Sequence, residues 1–164
     1  MLTFAAVSAE AATGEALEHF CAKLARATGL AFEPRVFGSY AELRDSALSG
    51  SLDLVWAPPL VAVDLEDAGC AESAVVVHRS TRAGYYSALF AKAESRLNAV
   101  EDLQGVRAAW VSKESASGYF VPRWHLRSLG LRLEECFGDE TILGSHEAVT
   151  RAVLEGRADV GATH

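Results

Sequence analysis

The segment Leu48-Ser49-Gly50-Ser51-Leu52-Asp53-Leu54 has a counterpart near the other end of the chain, Leu154-Glu155-Gly156-Arg157-Ala158-Asp159-Val160. Each segment carries a leucine at the end of a predicted helix, then a glycine, then an aspartate that enters a predicted strand. Glycine is the residue that most often closes a helix, because it adopts the left-handed conformation without strain. The recurrence indicates that both halves of the chain repeat one β-α-β-α-β plan.

Strands and helices alternate along the whole sequence, beginning with a short apolar strand at residues 2–7 and a helix that Thr13 is expected to cap and Gly29 to end. Ser39 and Glu42 form a capping-box pattern before the next helix. Further strands are predicted at residues 30–37, 52–56, 74–77, 85–91, 106–111, 137–143 and 158–162, and further helices after residue 58 and at residues 117–129 and 145–155. This alternation predicts an α/β fold with mainly parallel sheets. We expect two lobes, residues 1–82 and 83–164, with a ligand cleft between them.

Composition excludes several classes of function. The chain has 164 residues, of which 50% are hydrophobic and 23% charged, so it can bury a sizeable core. Its formal net charge of −7, without a basic stripe, disfavours nucleic acid as a partner. Cys21, Cys70 and Cys136 lack the spacing of a metal site, so neither a metal nor a cofactor is expected.

The first residues do not indicate a cellular compartment. No apolar run is long enough to span a membrane, and the segment from Met1 to Val7 lacks the basic start of a secretory signal. Two alternatives stay open at this point: a periplasmic or otherwise extracytoplasmic protein whose leader has been removed, or a cytoplasmic one.

The segment Ser115-Ala116-Ser117-Gly118 runs from the end of a predicted strand into a predicted helix. Unpaired amides at a helix N-terminus and the two hydroxyls are suited to an anion, and Gly118 would allow close approach to the backbone. The alternative is that Ser117 only caps the helix and Ser115 only forms a turn, which composition alone favours. Pro122 is expected to kink the helix that follows.

Two other residues are candidate ligand contacts on weaker local grounds. His146 follows Ser145 at the start of the next predicted helix, where an imidazole can donate a hydrogen bond to an oxyanion. Tyr85 precedes a strand, where packing is the alternative role. For neither residue do the neighbouring residues decide whether it contacts a ligand.

Five short motifs, in this order, resemble the phosphonate-binding proteins of ABC importers: Asp53-Leu54-Val55-Trp56, Gly84-Tyr85-Tyr86-Ser87, Asp102-Leu103-Gln104-Gly105, Ser115-Ala116-Ser117-Gly118-Tyr119-Phe120-Val121-Pro122 and Gly144-Ser145-His146-Glu147. The resemblance implies the fold of type 2 periplasmic binding proteins and a bound phosphonate, phosphite or phosphate. It assigns ligand binding to Tyr85, Ser115, Ala116, Ser117, Gly118 and His146. It also implies an ABC transporter permease as partner.

Three departures from this family pattern carry expectations. Ala116 stands where the family has threonine, which removes one hydroxyl, and Ala57-Pro58-Pro59 stands where an aromatic residue is common. The chain ends at His164, before the crossover that completes the first lobe in the family. The resemblance therefore implies an incomplete first lobe, whose open sheet edge could support a homodimer.

Three other functions are alternatives to a solute-binding protein or a fragment of one. A cytoplasmic ligand-sensing effector domain would use the same fold. A hydrolase would use Ser115 or Ser117 as nucleophile and His146 as base, but the sequence lacks the GxSxG elbow, so an enzyme is not expected. A remnant that serves only as an interaction domain is the third alternative.

Overall fold

The computed structural model describes residues 1–7, 11–75 and 86–164 of the chain. Their contacts divide the chain into two compact units, Met1–His78 and Arg79–His164. The predicted boundary at residues 82 and 83 lies outside the described residues and stays a prediction. None of the helices in the described ranges is long and apolar enough to cross a membrane.

The first unit contains a three-stranded parallel sheet in the order β2-β1-β3. Its strands are β1 (Leu2–Val7), β2 (Phe32–Phe37) and β3 (Leu54–Trp56), and its helices are α1 (Ala11–Thr28), α2 (Tyr40–Leu48) and α3 (Pro59–Asp67). Alternate residues of the central strand β1 are buried under α1, where Phe4 and Ala6 pack against Leu17 and Cys21. The apolar spacing predicted for α1 thus supplies one layer of this core.

Helix starts in the first unit differ in detail from the sequence prediction. Thr13 lies inside α1, which has already begun at Ala11, so Thr13 is not its cap. Ser39 does cap α2, since its Oγ accepts from the N–H of Glu42 at 3.2 Å. The Glu42 carboxylate accepts in turn from the N–H of Gly38 at 3.2 Å, one residue earlier than in a capping box.

The second unit contains a four-stranded sheet in the order β4-β7-β5-β6. Its strands are β4 (Ala88–Ala91), β5 (Val106–Trp110), β6 (Phe137–Ile142) and β7 (Val160–Thr163), and its helices are α4 (Val121–Ser128), α5 (Leu133–Cys136) and α6 (His146–Leu154). Strands β6, β5 and β7 are parallel, and β4 pairs antiparallel with β7 at the sheet edge.

Two predicted strands are changed by the structure. The strand predicted at residues 85–91 begins at Ala88 in the described residues, and it lies at the edge of the sheet. The apolar run at residues 74–77 gives no strand at Ala74 and Val75, and residues 76 and 77 lie outside the described residues. Apolar composition alone did not distinguish an extended connection from a strand, because both need only extended backbone.

The repeated aspartate has the same role in both units. Asp53 Oδ2 accepts from the backbone N–H and the hydroxyl of Thr3, both at 2.8 Å. Asp159 Oδ2 accepts from the backbone N–H of Arg107 at 2.8 Å and from its Nε at 3.1 Å. These bonds hold the pKa of each carboxyl below its usual value. In each unit an aspartate therefore ties the third parallel strand to the first, and the predicted repeat and α/β class are confirmed.

Candidate functional site

The carboxyl ends of β5, β6 and β7 meet at one edge of the second sheet, because the three strands are parallel. The loops that leave β5 and β6 are joined there by a hydrogen bond from the N–H of Gly144 to the carbonyl of Val111 at 2.8 Å. The Ser115–Gly118 motif follows β5, His146 follows β6, and Thr163 ends β7. Ligands of open parallel sheets bind at this edge, and Ser115–Gly118 and His146 belong to segments that leave it.

The helix predicted at residues 117–129 consists of two pieces. A single turn of π-helix spans Ala116–Phe120, with bonds from Phe120 N–H to Ser115 O at 3.0 Å and from Val121 N–H to Ala116 O. The α-helix α4 then begins at Val121, which places Pro122 in its first turn, where no N–H is needed. A junction between π- and α-helical backbone therefore lies directly before Pro122, and the kink expected there stays a prediction. Single π-turns are rare and occur frequently at functional sites.

Ser115, and not Ser117, caps the π-turn. Ser115 Oγ accepts from the N–H of Gly118 at 3.1 Å, which leaves its own hydroxyl hydrogen available to another acceptor. Ser115 is 3% exposed and Ser117 is 1% exposed, and the backbone carbonyl of Ser117 accepts from the Ser87 hydroxyl at 2.7 Å. Two buried serines at the start of one helix are thus fixed in position. The N–H of Ala116 has no intrahelical partner.

Gly118 is required by the packing of this turn against β5. A Cβ at position 118 would lie 2.3 Å from Cγ2 of Val111 and 2.8 Å from Ser115 Oγ. The Val111 side chain is fully buried in the core, so it cannot move aside from such a Cβ as a surface side chain could. The glycine of the motif therefore sets how closely the turn approaches the strand.

His146 is the first residue of α6, directly after Ser145, which caps the helix through a bond from Ala148 N–H at 3.1 Å. Its Nδ1 lies 3.1 Å from Thr163 Oγ1, and its ring is edge-on to His164 with centroids 4.4 Å apart. Burial, and then the neighbouring His164, lowers the pKa of His146. The imidazole is therefore mainly neutral at pH 7 and can donate one hydrogen bond.

One predicted site residue lies outside the described part of the chain, and one residue near the motif was not predicted. Tyr85, a predicted ligand contact, lies outside the described residues. Ser112 was not predicted, yet within the described ranges its Oγ is buried and has no hydrogen-bond partner. Its place between β5 and the serine motif was the only signal in the sequence.

Two other kinds of site are alternatives to this edge in the described part of the chain: a metal centre and a pocket. Among the described residues no three His, Cys, Asp or Glu side chains lie together as metal ligands. A shallow pocket near the amino ends of β5 and β6 is lined by Gln104, Arg132 and Glu135 among others. Arg132 and Glu135 pair with each other at 2.6 Å, and the Gln104 amide donates to the Glu135 carbonyl at 2.6 Å, so these polar groups already satisfy one another.

Comparison with known proteins gives a family and a fold. A model of the family described as ABC transporter, phosphonate, periplasmic substrate-binding protein matches residues 2–164. A binding protein component of an ABC phosphonate transporter from Pseudomonas aeruginosa has a similar structure, with a TM-score of 0.82 and 22% identity over 98% of this chain and 56% of that one.

Two further solved structures extend the comparison. PhnD1 from Prochlorococcus marinus, in complex with methylphosphonate, has a TM-score of 0.83 and 20% identity over 99% of this chain and 63% of that one. The periplasmic aliphatic sulphonate binding protein SsuA from Escherichia coli has a TM-score of 0.61 and 18% identity over 99% of this chain and 50% of that one. These likenesses show the fold of type 2 periplasmic binding proteins, and the present chain spans between half and two thirds of the length of each protein.

Proposed function

Because this chain belongs to the periplasmic phosphonate substrate-binding proteins of ABC transporters, we propose that it binds a phosphonate, phosphite or phosphate ion at the carboxyl edge of the second sheet. The observation that carries the proposal is the pair of buried serines, Ser115 and Ser117, at the start of a π-turn on that edge. The start of α6, with His146, lies on the same edge. Helix starts on the same edge of a sheet favour negative charge near them.

The proposed contacts are side-chain and backbone donors on this edge. Ser115 has a hydroxyl hydrogen left after its oxygen accepts from Gly118, and the N–H of Ala116 has no partner within the helix. Ser117 contributes a hydroxyl, and neutral His146 contributes one ring N–H. We also assign Tyr85 to the ligand, on the family resemblance alone. Such a set consists of neutral donors, which bind an oxyanion without a permanent positive charge.

The oxyanion class is supported by the relatives. The Pseudomonas protein is a component of a phosphonate transporter, and the Prochlorococcus protein holds methylphosphonate. The sulphonate-binding protein of Escherichia coli shares the fold less closely, so sulfonates form the natural competitor ligands. A tetrahedral oxyanion with a small substituent is the ligand we propose.

A role in transport follows from the family rather than from the geometry. We propose that the protein works outside the cytoplasm and delivers its ligand to a transporter permease. The family match favours this role over the cytoplasmic effector domain. Catalysis is not proposed, because the described contacts pair His146 with Thr163 and His164 rather than with a serine of the motif.

Calorimetric titration with methylphosphonate, phosphite, phosphate, sulfate and methanesulfonate tests the proposal. We expect saturable binding of the phosphorus oxyanions and weaker binding of the sulfur ones. Absence of binding by the wild-type protein at millimolar ligand would remove the proposal.

Ser115→Ala and Ser39→Ala form a matched pair for the same titration. Both serines cap a helix by accepting from the N–H three residues later, at 3.1 and 3.2 Å, so both variants should lose about 1 kcal/mol of stability. Only Ser115→Ala should also lose affinity, because Ser39 is not part of the motif. Equal affinities in the two variants would show that Ser115 is a cap and not a ligand contact.

A further inference from the structure

A group of buried and partly buried side chains lies beside the π-turn and is not part of the proposed ligand contacts. Trp110, on β5, is fully buried, and its Nε1 donates to Glu140 Oε2 on β6 at 2.7 Å. Arg123, in the first turn of α4, forms an ion pair with the same carboxylate oxygen. The Arg123 side chain is only 14% exposed and that of Glu140 33% exposed. This pair is far more shielded than the pair of Arg127, on the same helix, with Glu134 of α5, whose side chains are 59% and 68% exposed.

The guanidinium of Arg123 also contacts two aromatic rings. It lies 4.7 Å from the ring of Tyr119, which belongs to the π-turn, and 5.3 Å from the ring of Trp110. The two rings meet edge-on with centroids 5.7 Å apart. Arginine is suited to such a position, because its planar cation can stack on rings while its edge binds a carboxylate. One side chain thus connects the π-turn and α4 with two strands of the sheet.

A device of this kind is needed because the π-turn is not held by local sequence preference. π-helical backbone is rarely stable by itself and persists where its surroundings impose it. Donors that bind a small ion must keep their positions within about 0.5 Å. Gly118 fixes the turn on the side of β5, and the contacts of Arg123 with Tyr119 fix its carboxyl end.

We propose that Arg123, held by Glu140 and Trp110, is a positioning residue for the anion-binding turn. It sets the geometry of Ser115–Gly118 and does not contact the ligand. The proposal rests on the proposed function, because it concerns the affinity of that same site.

A positioning role and a purely electrostatic role predict opposite results for one substitution. Glu140→Gln keeps an oxygen that can accept from Trp110 but removes the negative charge that neutralises Arg123. If Arg123 acted as a distant positive charge, Glu140→Gln would strengthen anion binding. If Arg123 positions the turn, loss of its ion pair weakens binding.

The experiment measures the dissociation constant of methylphosphonate for wild type, Glu140→Gln and Arg123→Lys, with Arg127→Lys as the matched control on the same helix. We expect both network variants to bind about tenfold or more weakly, because small displacements of binding groups are costly. Arg127→Lys should match the wild type. Unchanged or tighter binding by Glu140→Gln would overturn the proposal, whereas failure of the wild type to bind would instead overturn the proposed function.

Amide hydrogen exchange without ligand gives an independent measurement. The N–H of Gly118 is bonded to Ser115 Oγ, so it reports on the order of the turn directly. We expect this amide to exchange faster in Arg123→Lys, while the amide of Glu42, capped by Ser39 in the first unit, exchanges as in the wild type. Because Arg123→Lys keeps the positive charge, it decides the matter if Glu140→Gln does not fold. Unchanged Gly118 exchange in Arg123→Lys would contradict the positioning role.

Discussion

Substitution of Gly118 by alanine tests the packing of the motif most directly. The added Cβ would lie 2.3 and 2.6 Å from two carbons of Val111 and 2.8 Å from Ser115 Oγ. Ordinary contact begins at 3.4 Å, so the turn must retreat from β5 by about 1 Å. Val111 cannot yield instead, since it is packed among the buried side chains of α6. Overpacking of this kind costs about 1–3 kcal/mol, and we expect the upper end of that range.

The same displacement should reduce ligand affinity. A hydrogen bond lengthened by about 1 Å is no longer a hydrogen bond, and a bond to a charged ligand contributes about 1.5–3 kcal/mol. Methylphosphonate should therefore bind at least about tenfold more weakly to Gly118→Ala. Calorimetric titration at a temperature where the variant is folded measures this effect apart from stability.

Urea denaturation followed by tryptophan fluorescence and circular dichroism measures the stability change. Gly14→Ala is the control, because Gly14 lies within α1 and its added Cβ meets nothing within 4 Å. That variant should gain about 0.5–1 kcal/mol through higher helix propensity. The packing argument for Gly118 would be refuted if Gly118→Ala unfolded at the wild-type urea concentration while Gly14→Ala showed its expected shift.

Three further predictions concern single side chains. Ala116→Thr restores the hydroxyl found in the family and should bind phosphate about fivefold more tightly by titration, whereas Ala116→Val, of similar shape, should not; equal affinities would contradict a hydroxyl contact there. Because burial and His164 lower the folded-state pKa of His146, its contribution to stability is complete above about pH 6.5 and is lost as the pH falls below that value. Thermal melts in ligand-free buffer should therefore show a larger drop in Tm from pH 7 to pH 5 for the wild type than for His146→Gln, and parallel curves would exclude this titration. Asp159→Asn removes a carboxylate that is 38% exposed and bonded to Arg107, so Tm should fall by only about 2–4 °C, and this loss should vanish in acid, where the wild-type carboxyl is protonated as well.

Most of the fold could be predicted from the sequence, because its helices and strands depend on local signals. Short apolar runs located β1 and β5, and a glycine after the helix located the ends of α2 and α6, with Gly50 and Gly156 at φ of 72° and 76°. Thr13 was misassigned for the same reason that Ser39 was assigned correctly. Both are good capping residues, and only the backbone conformation distinguishes a cap from the first turn.

The contacts within the site could be predicted less well from the sequence. Two serines separated by one residue are equivalent as caps in the sequence. Because the π-turn has a longer hydrogen-bonded ring than an α-helix, its cap is Ser115 rather than Ser117. The network of Trp110, Arg123 and Glu140 joins three positions on three elements, and no periodicity relates them. Such contacts are tertiary, so they follow only once β5, β6 and α4 have been assembled.

The bonds that Asp53 accepts from Thr3 and Asp159 accepts from Arg107 can be called aspartate clamps, and their formation depends on the order in which the strands are synthesised. In each unit the inner strand of the parallel set is synthesised before its parallel neighbours, β1 before β2 and β3, and β5 before β6 and β7. Until its neighbours emerge from the ribosome, that strand has two bare edges, which is the condition under which nascent chains mispair or aggregate. Asp53 and Asp159 each stand at the entry of the last parallel strand to arrive, and each closes on the first one. Each clamp therefore forms only when the third parallel strand has arrived, and in the first unit β1, β2 and β3 can pair before any strand of the second unit exists.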